Sequence, residues 1–161
     1  MDQRPARGTD LGARRVRIVF DTGVLSRALS RTHPESEQVL QKATEPCTHK
    51  ILLSRSLLKE LRGMSYQTFG LPARLLLQRL DSPEIVRKLR EVKLIGLSVP
   101  FNTDDDHLLE LAVRGKADYI ITLDRADLID HRGEMESWGR GQHSQFRIVS
   151  PYEFLESLKQ P

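Results

Sequence analysis

The sequence predicts an α/β fold, a three-layer α/β/α sandwich with a mainly parallel central sheet. Three observations carry this. Short apolar runs alternate along the chain with segments of helical periodicity, the pattern of a parallel sheet covered on both faces. The clearest runs, 16–20 and 119–123, are apolar but for Arg17 and Thr122, close to the continuous pattern of strands buried on both sides. Finally, 161 residues with 39% apolar and 29% charged side chains suffice for one core and are too few for two ordinary domains.

Taken in order, Val16 to Phe20 is a β-branched strand that stops at Asp21. Pro34 to Thr44 carries Val39, Leu40 and Ala43 at helical spacing. Lys50 to Leu53 is a second strand, followed by Ser54 as N-cap of a helix over 55–62. Two helices are expected across 71–90, broken at Asp81-Ser82-Pro83, where Ser caps and Pro opens a new start. Lys93 to Ser98 is a third strand, Pro100 to Thr103 a turn, and Asp104 to Arg114 a helix with Leu108, Leu109, Leu111 and Ala112 facing inward and Gly115 ending it. Tyr119 to Leu123 is a strand that delivers Asp124. The glycine-punctuated stretch 130–145 reads as a loop, Phe146 to Val149 as a last strand, and Ser150-Pro151-Tyr152-Glu153 as a capping box opening a terminal helix.

No apolar run approaches the roughly 20 residues of a spanning helix, so no membrane segment is expected. Residues 1–15 contain four arginines and no apolar stretch, which reads as a flexible basic leader rather than a secretory signal, and points to the cytoplasm. Cys47 is the only cysteine, which excludes an internal disulfide and a multi-thiolate zinc site. The net charge of +3 and the arginines crowding both ends are compatible with a polyanionic partner.

The chemistry lies in the acids. Asp21-Thr22-Gly23 has the look of an aspartic-protease loop, in which two aspartates share a proton. The helices that follow are poor company for that reading. In a doubly wound sheet, ligands bind at the carboxyl ends of the strands. Asp21 and Asp124 each follow a strand directly, Asp106 lies in the first turn of the helix after the third strand, and Glu60 sits about two turns into the helix after the second. Carboxylates gathered there would repel one another without a cation. Hard oxygen ligands suit Mg²⁺ or Mn²⁺, and such ions assist phosphodiester hydrolysis. Each acid also has a plainer role: Thr103 with Asp106 resembles a capping box, Asp104 and Asp105 suit a helix N-terminus, and Glu60 alone is a surface charge.

The segments "VFDTGVL", "LLSRSLLKEL", "NTDDDHLLELAVRGKADYIITLDRADLI" and "FRIVSPYEFLESL" resemble, in succession, the motifs of the PIN-domain family, close to the VapC-like toxins of toxin–antitoxin operons. The resemblance runs over residues 16–158 and marks that span as one PIN-like nuclease domain. It implies a Mg²⁺- or Mn²⁺-dependent ribonuclease acting on RNA, with Asp21, Glu60, Asp106 and Asp124 as its catalytic acids and metal ligands. It also implies Thr122 as the hydroxyl at the strand end, and an antitoxin and a homodimer as partners. Gly23 departs from the Asn or Ser of many relatives, and Asp127 is a candidate outer acid. His107, about 100° around the helix from Asp106, is expected at the surface. Trp138 is expected to pack the 130–145 segment onto the domain rather than to stack on RNA. A catalytically weak RNA-binding or regulatory module on the same fold is the alternative. A receiver domain would want an acidic pair after the first strand and a Lys after the last, and a haloacid-dehalogenase-type phosphatase an Asp at position 23.

Overall fold

The computed structural model describes residues 16–45, 49–69, 78, 86, 88–94, 96–101 and 103–159. Five strands form one sheet in the order β3-β2-β1-β4-β5, namely β1 (Arg17–Phe20), β2 (Lys50–Leu53), β3 (Leu89–Glu91), β4 (Tyr119–Ile121) and β5 (Arg147–Val149). Every pairing is parallel. The helices are α1 (Thr22–Ser30), α2 (Pro34–Thr44), α3 (Arg55–Phe69), α4 (Asp106–Gly115), α5 (Arg132–Gly141) and α6 (Pro151–Leu158). Helix α2 packs on α1 and α6, while α4 lies on β1, β2 and β4 and touches α5. This is the expected α/β arrangement, an all-parallel sheet with helices packed on it.

Strand order reverses between β1, the central strand, and its neighbour β4. The core is built on them: Ile18, Val19, Phe20, Ile120 and Ile121 are fully buried, packed with Leu25 of α1, Leu57 and Leu61 of α3 and Leu108 and Leu109 of α4. The crevice at a reversal is open on its carboxyl side because the flanking connections leave in opposite directions. Asp21 and Asp124 follow the two strands that border it.

The structure departs from the sequence expectations in several places, among them α3, which runs to Phe69 rather than ending at 62. Thr22–Ser30 is a helix where the sequence predicts none; Val24, Leu25, Ala28 and Leu29 are buried along it together with Thr22 and Ser26, and Gly23 near its start weakens the local helical signal. The third strand is Leu89–Glu91 rather than 93–98, so residues 89 and 90 are not helical either. An edge strand with only one inward apolar residue, Leu89, is specified by its pairing with β2 and has no local pattern to betray it. Residues 132–141 are helix α5, not loop; Met135 and Gly139 are buried and Trp138 stands edge-on to Phe101, with centroids 6.1 Å apart, so Trp138 packs as expected. Helix α4 ends with Lys116 in the left-handed conformation (φ 55°). Gly115 serves another purpose: a Cβ there would stand 2.6 Å from Leu52 Cδ1, so its absence lets α4 lie against β2.

The exposed edge of β5 is closed by α5 rather than by a strand. Glu136 accepts the Ile148 N–H at 2.8 Å, and Arg132 donates to the Ile148 carbonyl at 3.3 Å and to Glu153. Polar groups that would otherwise template another strand are thus paired internally. The capping box of Ser150 and Glu153 opening α6 forms as anticipated. The leader 1–15, Cys47 and the helices expected across 71–88, with their break at 81–83, lie outside the described residues, apart from isolated positions.

Candidate metal centre

Asp21 is placed by the sheet. Phe20 and Ile121 are in register, and the Asp21 N–H donates to the Ile121 carbonyl at 2.9 Å, extending the β1–β4 ladder by one residue. Thr122, the next residue of β4's exit, therefore stands beside Asp21, and its hydroxyl donates to Asp21 Oδ2 at 2.7 Å. The same Thr122 oxygen accepts the Asp124 N–H at 2.9 Å, which turns the chain so that Asp124 enters the crevice. Thr122 is wholly buried and Asp21 nearly so. Burial raises the Asp21 carboxyl above the ordinary aspartate range; the Thr122 bond opposes this, while Glu60 and Asp124 add to it.

Glu60 projects from α3 toward α1 and α4. Its Oε1 accepts the Thr22 hydroxyl at 2.5 Å and its Oε2 stands 3.0 Å from His107 Nε2. Thr22 also reaches Asp21 Oδ1 at 3.3 Å, so one hydroxyl stands between two carboxylates. The His107 bond, outweighing burial and aided by Thr22, holds Glu60 below the ordinary glutamate range, and the same contact raises His107. His107 is not the surface histidine the sequence suggested. Its offset from Asp106 is real, but Asp106 is bound to Thr103 in the turn before α4, while His107 meets Glu60 of α3.

The third acid of the crevice is Asp105. Asp106 Oδ1 accepts both the Thr103 N–H (3.2 Å) and the Thr103 hydroxyl (3.1 Å), so its carboxylate is engaged in the turn before α4. Asp105, at the N-cap position of α4, makes no capping bond with its side chain. Its carboxyl is raised to about 7 by burial, by the charges of Asp21, Asp124 and Glu60 and by a hydrogen bond to Asp124. The structure thus gives Asp106 the plainer capping role and puts Asp105 in the place expected of Asp106. Three adjacent aspartates offer no spacing by which to choose among them; the turn geometry at Thr103 chooses.

Asp127 accompanies Asp124, donating its N–H to Asp124 Oδ1 at 3.0 Å. Ligand atoms of Asp105, Asp124 and Asp127 lie within 4.8 Å of one another, as do those of Glu60, Asp105 and His107. Asp105 belongs to both groups and Asp21 to neither; Asp21 acts on them as a buried charge from below. Gly23, second residue of α1, has nothing within 4 Å of a Cβ built on it and no positive φ. A side chain would fit there without strain, so the glycine answers no steric demand of the fold.

The family model described as PIN domain matches residues 17–126, more than half of the chain and all of the acids from Asp21 to Asp124. This chain belongs to the PIN-domain family. No curated protein matches it. PIN domains are metal-dependent nucleases as a class, and the residues gathered here fit a divalent cation. Four carboxylates converge with Asp127 at the rim, and among the described residues the leading influences on Asp21, Glu60 and Asp105 are burial, hydroxyls, His107 and one another. Oxygen donors of this kind suit a hard ion, and the repulsion that raises Asp105 is what such an ion relieves. Three participants escaped the sequence reading: Thr22, Asp105 and His107. For Thr22 the signal was its place beside Asp21 at a helix start; for the other two there was none beyond polarity.

Proposed function

We propose that this PIN domain is a Mg²⁺- or Mn²⁺-dependent endoribonuclease, and that it serves as the toxin of a toxin–antitoxin pair. The observation that carries the nuclease reading is the convergence of Asp21, Glu60, Asp105 and Asp124 at the strand-order reversal, where Asp105 feels the charges of the other three. A bound divalent ion supplies charge stabilisation and a more acidic water for attack on a phosphodiester. The chain's own residues do the rest. Thr122 and Thr22 fix the orientation of Asp21 and Glu60, and burial of Asp21 keeps that part of the floor dry, which strengthens its field on the groups above.

RNA would approach along the carboxyl edge of the sheet. Arg55, which follows β2 and is 93% exposed at its side chain, and Lys93, which follows β3, line one cavity of about 430 Å³ there with Glu91, and Arg125 is exposed next to Asp124. Such residues hold a phosphate backbone without reading its sequence, which makes binding sensitive to salt. An antitoxin segment carrying a basic side chain into the acidic crevice would inhibit, a homodimer would set two crevices in one particle, and the setting would be the cytoplasm. Incubating the purified protein with Mn²⁺ and single-stranded or structured RNA tests the activity. Cleavage that Asp21→Asn and Asp124→Asn abolish supports the reading, and absence of any cleavage dependent on Asp21 overturns it in favour of an RNA-binding module.

A further inference from the structure

We propose that His107 is a ligand of this centre, giving a ring nitrogen to the ion beside Glu60 and Asp105, and that this nitrogen makes the site select Mn²⁺ over Mg²⁺. The inference rests on the metal-dependent reading above and goes further, by naming a donor of different chemistry and the discrimination it produces.

Four observations lead there. His107 is drawn inward, its side chain only 18% exposed, although it occupies the first turn of a helix whose start lies at the surface. Its Nε2 stands 3.0 Å from Glu60 Oε2, which is about the separation of neighbouring donor atoms on an octahedral ion with bonds near 2.1 Å. Ligand atoms of Glu60, Asp105 and His107 fall within 4.8 Å of one another, close enough for one ion to meet all three. The ring's Nδ1 is buried without a partner among the described residues, so the imidazole is held through Nε2 at Glu60, the atom that an ion beside Glu60 would meet.

The chemical consequence follows from ligand preference. Mg²⁺ takes oxygen donors almost exclusively and holds its waters, whereas Mn²⁺ also favours carboxylates and stands at the weak end of the transition-metal series but, as a member of it, accepts an imidazole nitrogen more readily than Mg²⁺ does. The other group, Asp105, Asp124 and Asp127, is all oxygen and gives no such discrimination. The preference therefore resides on the α3–α4 side of the crevice.

The test is pulsed electron paramagnetic resonance of the full-length protein loaded with Mn²⁺, paired with calorimetric titrations of Mn²⁺ and Mg²⁺ into wild type and His107→Gln. The expected result is a nitrogen coupling to Mn²⁺ in wild type that disappears in His107→Gln. The ratio of Mn²⁺ to Mg²⁺ affinity should fall by about tenfold in the variant, with Mg²⁺ affinity changing much less. Bound Mn²⁺ with no nitrogen coupling, or equal losses for both ions, overturns the proposal: His107 then merely holds Glu60, and the carboxylate centre stands. If wild type binds neither ion, the metal-dependent reading falls as well. The wild-type spectrum decides the ligand question even if the variant folds poorly.

Discussion

Replacing Asp105 and Asp106 one at a time separates two neighbouring carboxylates by the opposite things they do. Asp105 is held at about 7 against 3.8 for a free aspartate. That rise corresponds to roughly 4 kcal/mol of disfavoured charge. Solvent around this half-buried group screens much of it, leaving about 1–2 kcal/mol. Asp105→Asn removes the charge, so at pH 8 without metal the variant should be more stable than wild type. At about 2–4 °C per kcal/mol for a chain of this size, its melting temperature should rise by roughly 2–8 °C. Added Mn²⁺ should stabilise wild type by about 2.7 kcal/mol at a hundred times the dissociation constant, and Asp105→Asn should lose most of that gain. Asp106→Asn should behave in reverse: weakened bonds to Thr103 cost about 1 kcal/mol, and the metal-induced gain survives. Thermal melts with and without Mn²⁺ read both effects. If Asp106→Asn abolishes the metal response while Asp105→Asn keeps it, the placement of Asp105 in the centre is wrong.

Three further outcomes are expected. Metal-free stability should decline as pH rises from about 4 to above about 7, because the raised carboxyl of Asp105 binds protons more tightly in the folded than in the unfolded chain, so the unfolded state binds fewer protons across that window; His107, also raised, contributes in the same sense, and Glu60, lowered, makes its contribution disappear only as pH falls below the glutamate range. Denaturant titrations across that range should show the decline, and saturating Mn²⁺ should flatten it. Thr122→Val should cost about 1–3 kcal/mol, since it leaves Asp21 Oδ2 and the Asp124 N–H without their buried partner, whereas Thr122→Ser should keep most of the stability in chemical denaturation. Gly23→Ala should add about 0.5–1 kcal/mol to thermal stability with metal affinity unchanged in calorimetry, because a helical glycine with open space at Cβ loses only chain entropy by being replaced.

Asp21 and Asp124 could be placed at strand ends by a rule that needs only local information: a buried strand ends, and the next residues emerge at its carboxyl edge; Thr122 was given by the family resemblance alone. The sandwich was legible for the same reason, since period and apolarity announce β1, β2, β4, α2 and α6 one by one. Helix α5 was hidden because its glycines suppress local helical preference, while the burial of Met135 and Gly139 that offsets this comes from residues elsewhere in the chain. Strand β3 was hidden because only its pairing with β2 makes Leu89–Glu91 a strand. The choice of Asp105 over Asp106, and the turning of His107 onto Glu60, belong to the same class. By itself the sequence determined which strand ends carry acid, and the repulsion among those acids was the ground for expecting a cation. Which carboxylates meet, and that an imidazole meets them, was decided by how α3 and α4 are brought to the reversal between β1 and β4, because contacts between residues 47 apart follow from packing and not from local pattern.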